Sequence, residues 1–203
     1  MSRKVRLEID GKQVEAEEGM TILQAARKAG IEIPTLCYND QLEPYGACRI
    51  CTVEIIKDGR KRYVVSCVYP VEEGLKVRTD SEEIRKIRKT LLELMLPLAP
   101  ASGPLKELAE KYGARANRFQ AEPTACILCG LCVRYCAEVK KANAICFIGR
   151  GTERQVAFVP EVAPYECPSC RQCYSLCPGG KIVEAESQGL LSMPITQKVA
   201  RKP

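Results

Sequence analysis

Residues 126–136 read CILCGLCVRYC, and residues 167–178 read CPSCRQCYSLCP. In each stretch the cysteines are separated by two, two and then three residues. The repeated spacing arranges eight thiols as two matching sets. Thiolates are strong metal ligands, and three close together with a fourth nearby can surround a metal cluster. The rest of the chain is organised around these two stretches.

The spacing is that of bacterial ferredoxins, in which three thiolates of one run bind one [4Fe–4S] cluster and the fourth binds the other cluster. It predicts one ligand set of Cys126, Cys129, Cys132 and Cys177, and a second of Cys167, Cys170, Cys173 and Cys136. Zinc and disulfides are the ordinary alternatives. A structural zinc site usually takes paired CxxC units, without a trailing fourth cysteine.

Four more cysteines lie in the N-terminal part of the chain: Cys37, Cys48, Cys51 and Cys67. Ten, two and fifteen residues separate them. Two thiolates in the glycine-containing loop 46–51 can approach one iron of a [2Fe–2S] cluster, while the other two bind the second iron. A zinc site or buried free cysteines is the alternative, but the neighbouring ferredoxin spacing favours the cluster. The plant-type spacing differs, with four residues between the first pair.

The strands and helices predicted before this site are those that open a β-grasp domain. Residues 4–9 alternate polar and apolar side chains, which predicts a strand with one buried face. Asp10-Gly11 predicts a tight hairpin into a return strand. Residues 20–30 then read as a helix that Thr21 caps and a glycine ends.

Four short motifs stand out in residues 1–98: PTLC at 34–37, CRIC at 48–51, VSC at 65–67 and VRTDSE at 77–82. With these motifs, residues 1–98 resemble the N-terminal domain of the large iron–sulfur subunit of NADH dehydrogenase (complex I). They equally resemble the electron-transfer subunits of NAD-linked hydrogenases, formate dehydrogenases and flavin-based electron-bifurcating enzymes. The resemblance resumes at 126–136 and continues through 149–151, so it covers most of the chain.

We predict an α+β chain in four parts. They are a β-grasp [2Fe–2S] ferredoxin domain at 1–80, a short helical spacer at 81–120, a bacterial-type 2[4Fe–4S] ferredoxin domain at 121–185 and a C-terminal tail at 186–203. The tail has no clear period, so a frayed terminus is the default and a docking arm the alternative.

Two helices are predicted in the spacer, and the first carries an apolar stripe of Ile84, Ile87, Leu91 and Leu94. In the similar families this segment holds a further [4Fe–4S] cluster through one histidine and three cysteines. This chain has no histidine and no cysteine there, so we expect that cluster to be absent. Loss of that cluster leaves two hypotheses: the β-grasp domain swings between partners, or it packs directly against the cubes. Because the spacer offers no electron stepping-stone, we expect the first, a mobile or separately docked [2Fe–2S] domain.

The amino-acid composition limits the class of protein and the cell compartment that this chain can belong to. The 203 residues are 46% hydrophobic and 28% charged, which is ordinary for one or two globular domains. The odd count of 13 cysteines argues against a secreted disulfide framework. We expect no membrane span, since no run approaches about 18 apolar residues. A reducing cytoplasm, in which thiols stay available for metal, fits best.

Cys146 belongs to none of the three predicted ligand sets. It stands in an apolar stretch, which predicts an inert residue of the hydrophobic core.

The formal charge of +6 counts every cysteine as neutral. A four-thiolate cluster carries about −2 when oxidised, so three clusters would bring the protein near zero net charge. Basic residues are also mixed with acidic ones instead of forming a run. We therefore expect no nucleic-acid partner.

Three clusters without an organic-cofactor motif indicate a non-catalytic electron-transfer subunit of an NAD(P)-linked oxidoreductase complex. The resemblance implies a flavin/NAD(P)-binding partner subunit and a second, catalytic oxidoreductase subunit, with FMN or FAD and NAD(P) bound only by partners. A soluble ferredoxin is a further candidate partner, and electron bifurcation stays open. A free-standing ferredoxin carrier and the iron–sulfur subunit of a succinate dehydrogenase or fumarate reductase are the alternative functions.

Overall fold

The computed structural model describes residues 3–120 and 124–182. The predicted tail and the last residues of the predicted ferredoxin domain lie outside these ranges. The strands are β1 (Lys4–Ile9), β2 (Lys12–Glu17), β3 (Thr52–Lys57), β4 (Arg60–Val65), β5 (Lys76–Arg78), β6 (Ile145–Ile148) and β7 (Gln155–Phe158). The α-helices are α1 (Ile22–Lys28), α2 (Glu82–Met95), α3 (Gly103–Tyr112), α4 (Leu131–Arg134) and α5 (Ala163–Cys170). A π-helical turn, Tyr135–Val139, continues α4.

The N-terminal part is a five-stranded sheet in the order β2-β1-β5-β3-β4. Strands β1 and β5 are parallel at its centre, and the other neighbours are antiparallel. Asp10-Gly11 and Asp58-Gly59 have positive φ angles, as two-residue hairpin turns require. The predicted opening of strand, hairpin, strand and helix is therefore present.

Helix α1 begins at a reciprocal cap. The Thr21 side chain accepts a hydrogen bond from the Gln24 backbone N–H at 3.3 Å, and the Gln24 side chain accepts from the Thr21 N–H at 2.9 Å. This capping box fixes the start of the helix. Its Ile22 and Leu23 then pack with the inward side chains of β1, and together they form the core of the sheet domain.

The apolar face of α2 differs from the predicted stripe. The fully buried positions are Ile84, Arg88 and Leu92, whereas Leu94 is 48% exposed. Ile87 and Leu91, also predicted in the stripe, are half-buried. The helix turns this face because it packs against β3 and α3, where an arginine is tolerated once its donors are hydrogen-bonded.

The spacer helices share one hydrophobic core with both of the parts that they connect. That core joins Leu36 and Ile50 of the N-terminal loops, Leu92 and Leu105 of the spacer, and Leu131 of α4. A continuous buried core of this kind resists separation, because parting it would expose apolar surface to water. The expectation of a separately docked [2Fe–2S] domain is therefore wrong for this structure.

The C-terminal part pairs β6 and β7 as an antiparallel hairpin between the two cysteine stretches. Its core combines Ile145, Val156 and Phe158 of the hairpin with Ala163 and Ile182. None of the helices in the described ranges is long and apolar enough to cross a membrane.

Candidate iron–sulfur sites

The four N-terminal cysteines are brought to one end of the five-stranded sheet. Cys37 and Cys48 lie in the long connection between α1 and β3, Cys51 directly precedes β3, and Cys67 follows β4. All four are buried. The Cys48 backbone N–H donates to the Cys37 sulfur at 3.3 Å. Hydrogen bonds to sulfur of this kind stabilise thiolates and tune iron–sulfur clusters.

These four thiols form two hydrogen-bonded pairs. The Cys48 thiol, by donating to Cys37, lowers the pKa of Cys37 to about 6 against the opposing effect of burial, and the Arg134 charge adds slightly. The Cys67 thiol likewise lowers the pKa of Cys51 to about 7. Each donor is correspondingly harder to ionise, so the pKa values of Cys48 and Cys67 are raised. The structure therefore pairs Cys37 with Cys48 and Cys51 with Cys67, whereas the sequence predicted that the two thiols of loop 46–51 would share one iron.

The first predicted [4Fe–4S] set surrounds a pocket. Its lining includes Cys126, Cys129, Cys132 and Cys177. Burial raises the pKa of Cys129 to about 12, and the neighbouring Cys177 and Cys126 add to that shift. Such crowded thiols stay neutral by themselves, and a bound metal reverses this by stabilising the thiolates. A pocket lined by four thiols together with apolar side chains such as Ile127, Val156 and Ile182 suits an iron–sulfur cluster.

Gly179 closes this pocket. A Cβ atom at position 179 would lie 2.3 Å from the Ala125 carbonyl oxygen, so only glycine allows the two segments to meet. The contact holds the chain after Cys177 against the residue before Cys126. It thereby brings the fourth thiol of one cysteine stretch to the first three of the other.

Three thiols of the second predicted set, Cys136, Cys167 and Cys173, lie in one buried cluster, which Cys132 of the first set shares. The Cys136 sulfur, on the π-helical turn, accepts a hydrogen bond from the Ala144 backbone N–H at 3.2 Å. Burial raises the pKa of Cys173 to about 12, and the thiolates of Cys167, Cys136 and Cys170 raise it further. Cys132 of the first set feels the Cys173 charge as well, so the two predicted sets lie near each other.

Within the described residues, no three side chains of cysteine or acid are close enough to one another to bind a single metal ion. A cluster does not need that closeness. Four thiolates spread over the irons of a cluster, with one on each iron of a [4Fe–4S] cube.

Three contacts of these sites carry no sequence motif. Arg88 of α2 is buried against the loop of Cys51, and Arg134 of α4 stacks on Tyr45 of the N-terminal loop, 5.2 Å from its ring centroid. Ser102, at the start of α3, reaches the chain after Cys177. Only Arg88 had a possible signal, because it stands four residues from both Ile84 and Leu92 on a helix that buries both.

Cys146 takes no part in these groups. It lies on β6 opposite Ala157 and is half-buried, not a core residue as expected. The alternation of the strand turns the neighbouring Ile145 into the core and Cys146 away from it.

Comparison with known proteins assigns the N-terminal part. Residues 2–82 match the family described as "2Fe-2S iron-sulfur cluster binding domain". This part of the chain is a [2Fe–2S] domain. The four buried thiols at the end of the sheet lie inside the matched range.

The relatives confirm the resemblance read from the motifs. The chain is 36% identical to the NADPH-Fe(3+) oxidoreductase subunit alpha of Geobacter sulfurreducens, over 88% of this chain and 24% of that protein. It is 34% identical to the NADP-reducing hydrogenase subunit HndD of Solidesulfovibrio fructosivorans, over 88% and 36%. The NADH-ubiquinone oxidoreductase 75 kDa subunit of Reclinomonas americana matches at 31%, over 88% and 29%. The chain thus spans about a quarter to a third of these curated relatives.

A solved structure gives the same family relationship. A chain in the crystal structure of an NAD+-reducing [NiFe]-hydrogenase in the H2-reduced state superposes with a TM-score of 0.66 and 29% identity. The match covers 76% of this chain and 75% of that chain. The chain is therefore similar to redox subunits of NADH- and NADPH-linked oxidoreductases, and its [2Fe–2S] domain continues into a part that they share.

Proposed function

We propose that the chain is an electron-transfer subunit that relays single electrons through one [2Fe–2S] and two [4Fe–4S] clusters. The proposed ligands are Cys37, Cys48, Cys51 and Cys67 for the first, Cys126, Cys129, Cys132 and Cys177 for the second, and Cys167, Cys170, Cys173 and Cys136 for the third. The observation that carries the proposal is the repeated cysteine spacing at 126–136 and 167–177, next to a matched [2Fe–2S] domain with four buried thiols.

The shared core supports a fixed route between the first two sites. Cys37 and Cys48 of the [2Fe–2S] domain pack in one hydrophobic core with Cys129. The Cys37 charge reaches Cys129, whose pKa it raises after larger effects of burial, Cys177 and Cys126. Electron transfer slows steeply with distance, so direct packing of the two ligand loops replaces a stepping-stone in the spacer. When bound, the clusters supply one-electron transfer.

The partner subunits follow from the kinds of protein that the relatives are. Names of the relatives include NADPH, NADP and NADH as reactants, and hydride carriers deliver two electrons at once. We infer a flavin/NAD(P)-binding partner that splits the pair and a second catalytic subunit that uses the single electrons. The cysteine side chains of this chain would bind the clusters that carry electrons from the flavin-binding subunit to the catalytic subunit. We place the complex in the cytoplasm.

Metal analysis tests the cluster count. The purified full chain should contain about ten irons and ten acid-labile sulfides, from one two-iron and two four-iron clusters. About six irons would mean that one [4Fe–4S] cluster is absent. About fourteen irons would mean that the chain binds a further [4Fe–4S] cluster. Zinc in place of iron would overturn the proposal.

Reduction by NAD(P)H tests whether the nucleotide reacts at the partner subunit and not at this chain. In the intact complex, NAD(P)H should produce the EPR signals of reduced clusters in this chain. The isolated chain should give no signal with NAD(P)H and full signals with dithionite. Reduction of the isolated chain by NAD(P)H would show a nucleotide site on this subunit and contradict the proposed role of the partner.

A further inference from the structure

Arg88 is a buried cation in the middle of helix α2, with 1% of its surface exposed. Its guanidinium donates three hydrogen bonds: from Nε to the Ile50 carbonyl at 3.0 Å, from Nη2 to the Thr52 carbonyl at 3.0 Å, and from Nη1 to the Tyr112 hydroxyl at 2.8 Å. An arginine is rarely buried unless its donors are satisfied. Here two of its three partners belong to a single short loop.

That loop carries a thiol of the [2Fe–2S] site. Ile50 and Thr52 stand immediately before and after Cys51, so the guanidinium bridges the two peptide groups that flank this ligand. The Cys51 carbonyl itself is held from the opposite direction, by the Ser66 hydroxyl at 2.7 Å and the Ser66 N–H at 3.3 Å. Three consecutive carbonyls are therefore fixed, and they hold the backbone from which the Cys51 side chain extends.

The positive charge is held in place by the spacer and only weakly neutralised. Tyr112 comes from α3, and its ring centroid lies 5.3 Å from the Arg88 guanidinium carbon. The carboxylate nearest to Arg88 is that of Asp80, 3.9 Å from Nη1 and also paired with Arg85. A charge in a poorly solvated place acts more strongly on its surroundings than one in water.

We propose that Arg88 is a positioning residue for the [2Fe–2S] site, through which the spacer helices orient Cys51 and raise the reduction potential of the cluster. The inference rests on the proposed function of these thiols. Reduction adds negative charge to a cluster, and a nearby fixed cation favours the reduced form. Charge and hydrogen bonding around the ligands are the means by which proteins set such potentials.

Two substitutions separate charge from geometry. Arg88→Lys keeps the cation but cannot bridge both carbonyls, and Arg88→Met removes the cation while keeping an unbranched apolar side chain. Arg85→Met is the matched control, because Arg85 lies on the same helix with 57% of its side chain exposed. Each variant of the full chain is measured for iron content, thermal unfolding and the EPR-monitored midpoint potential of every cluster.

The expected order is specific to the [2Fe–2S] centre. Arg88→Met should lower its potential most, Arg88→Lys less but with altered g-values, and Arg85→Met not at all. The potentials of both cubes should stay at the wild-type value in all three. Wild-type potential and g-values in both Arg88 variants, with only a lower melting temperature, would overturn the proposal and leave Arg88 a purely structural residue.

A third variant keeps the proposal testable if Arg88→Met fails to fold. Tyr112→Phe keeps Arg88 and the ring but removes one hydrogen-bond partner, so it should shift the same potential by a smaller amount. An unchanged potential in Tyr112→Phe together with Arg88→Lys would contradict the inference. A wild-type chain without any [2Fe–2S] signal would instead contradict the proposed function, and the two failures are thus distinguishable.

Discussion

The Ser102 hydroxyl donates a hydrogen bond to the Pro178 carbonyl at 2.5 Å, and so joins the spacer to the residue that follows Cys177. The same oxygen accepts from the Leu105 N–H at 3.2 Å as the N-cap of α3. On the other cysteine stretch, the Leu98 carbonyl accepts from the N–H groups of Thr124 and Ala125. The spacer therefore holds both segments that meet at the first predicted cube.

Ser102→Ala should destabilise the protein and loosen this cube. Loss of the cap and of the buried hydrogen bond to Pro178 should together cost about 2 kcal/mol in the free energy of unfolding. Denaturant unfolding of the iron-loaded chain measures that loss. Thr152→Ala is a suitable control, since Thr152 is exposed in the turn between β6 and β7, outside both cysteine stretches. Equal stability of both variants would show that the link is unimportant.

Gly179→Ala should cost the first cube. The added Cβ would overlap the backbone of Ala125, which cannot give way as a flexible side chain would. The segment carrying Cys177 should then move off the pocket, and iron content should fall by about four atoms per chain. Gly103→Ala, where nothing lies within 4 Å of the new Cβ, should keep all of its iron. Full iron in Gly179→Ala would refute the proposed closure.

Cys146→Ser and Cys170→Ser separate the spare thiol from a ligand. Both side chains are half-buried, so exposure does not distinguish them. Cys146→Ser should leave iron content and the reduced-state EPR spectrum unchanged, whereas Cys170→Ser should damage one cube. Iron loss in Cys146→Ser would mean that the ligand assignment of Cys136, or the type of cluster, is wrong.

Arg134→Gln should lower the potential of the [2Fe–2S] centre from across the domain boundary. The Arg134 side chain is 15% exposed and pairs with Glu138, yet its charge still favours the thiolate of Cys37. Without it the reduced cluster loses a stabilising cation. Arg150→Gln is a control at an exposed position in the loop that follows β6. EPR-monitored titrations of both variants should show a shift in Arg134→Gln alone.

Much of this arrangement was predictable from short-range patterns. The Asp10-Gly11 hairpin and the Thr21 cap follow from backbone preferences of single residues, and both are present. Cysteine spacing likewise predicted three ligand sets, and the four N-terminal thiols do fall inside the matched [2Fe–2S] domain. The assignment of the other eight thiols to two clusters stays a prediction.

The remainder depends on contacts between distant residues. The stripe on α2 was wrong because Leu94 is apolar but faces water, while Arg88 is charged but finds three acceptors inside. No local sequence pattern predicts that the carbonyl groups of Ile50 and Thr52 accept hydrogen bonds from Arg88. The packing of Cys37 against Cys129 escaped prediction for the same reason, since it joins segments far apart in the sequence.

The central claim is that the [2Fe–2S] site and the first proposed [4Fe–4S] site stay at a constant distance, because one shared hydrophobic core joins them. Pulsed EPR between the reduced [2Fe–2S] centre and the nearest cube, in the intact complex, tests it most directly. One short, sharply defined distance should persist with and without nucleotide and at every redox poise that reduces both centres. A broad distribution, two distances, or a distance that changes with NAD(P)H would contradict this claim and restore a mobile [2Fe–2S] domain.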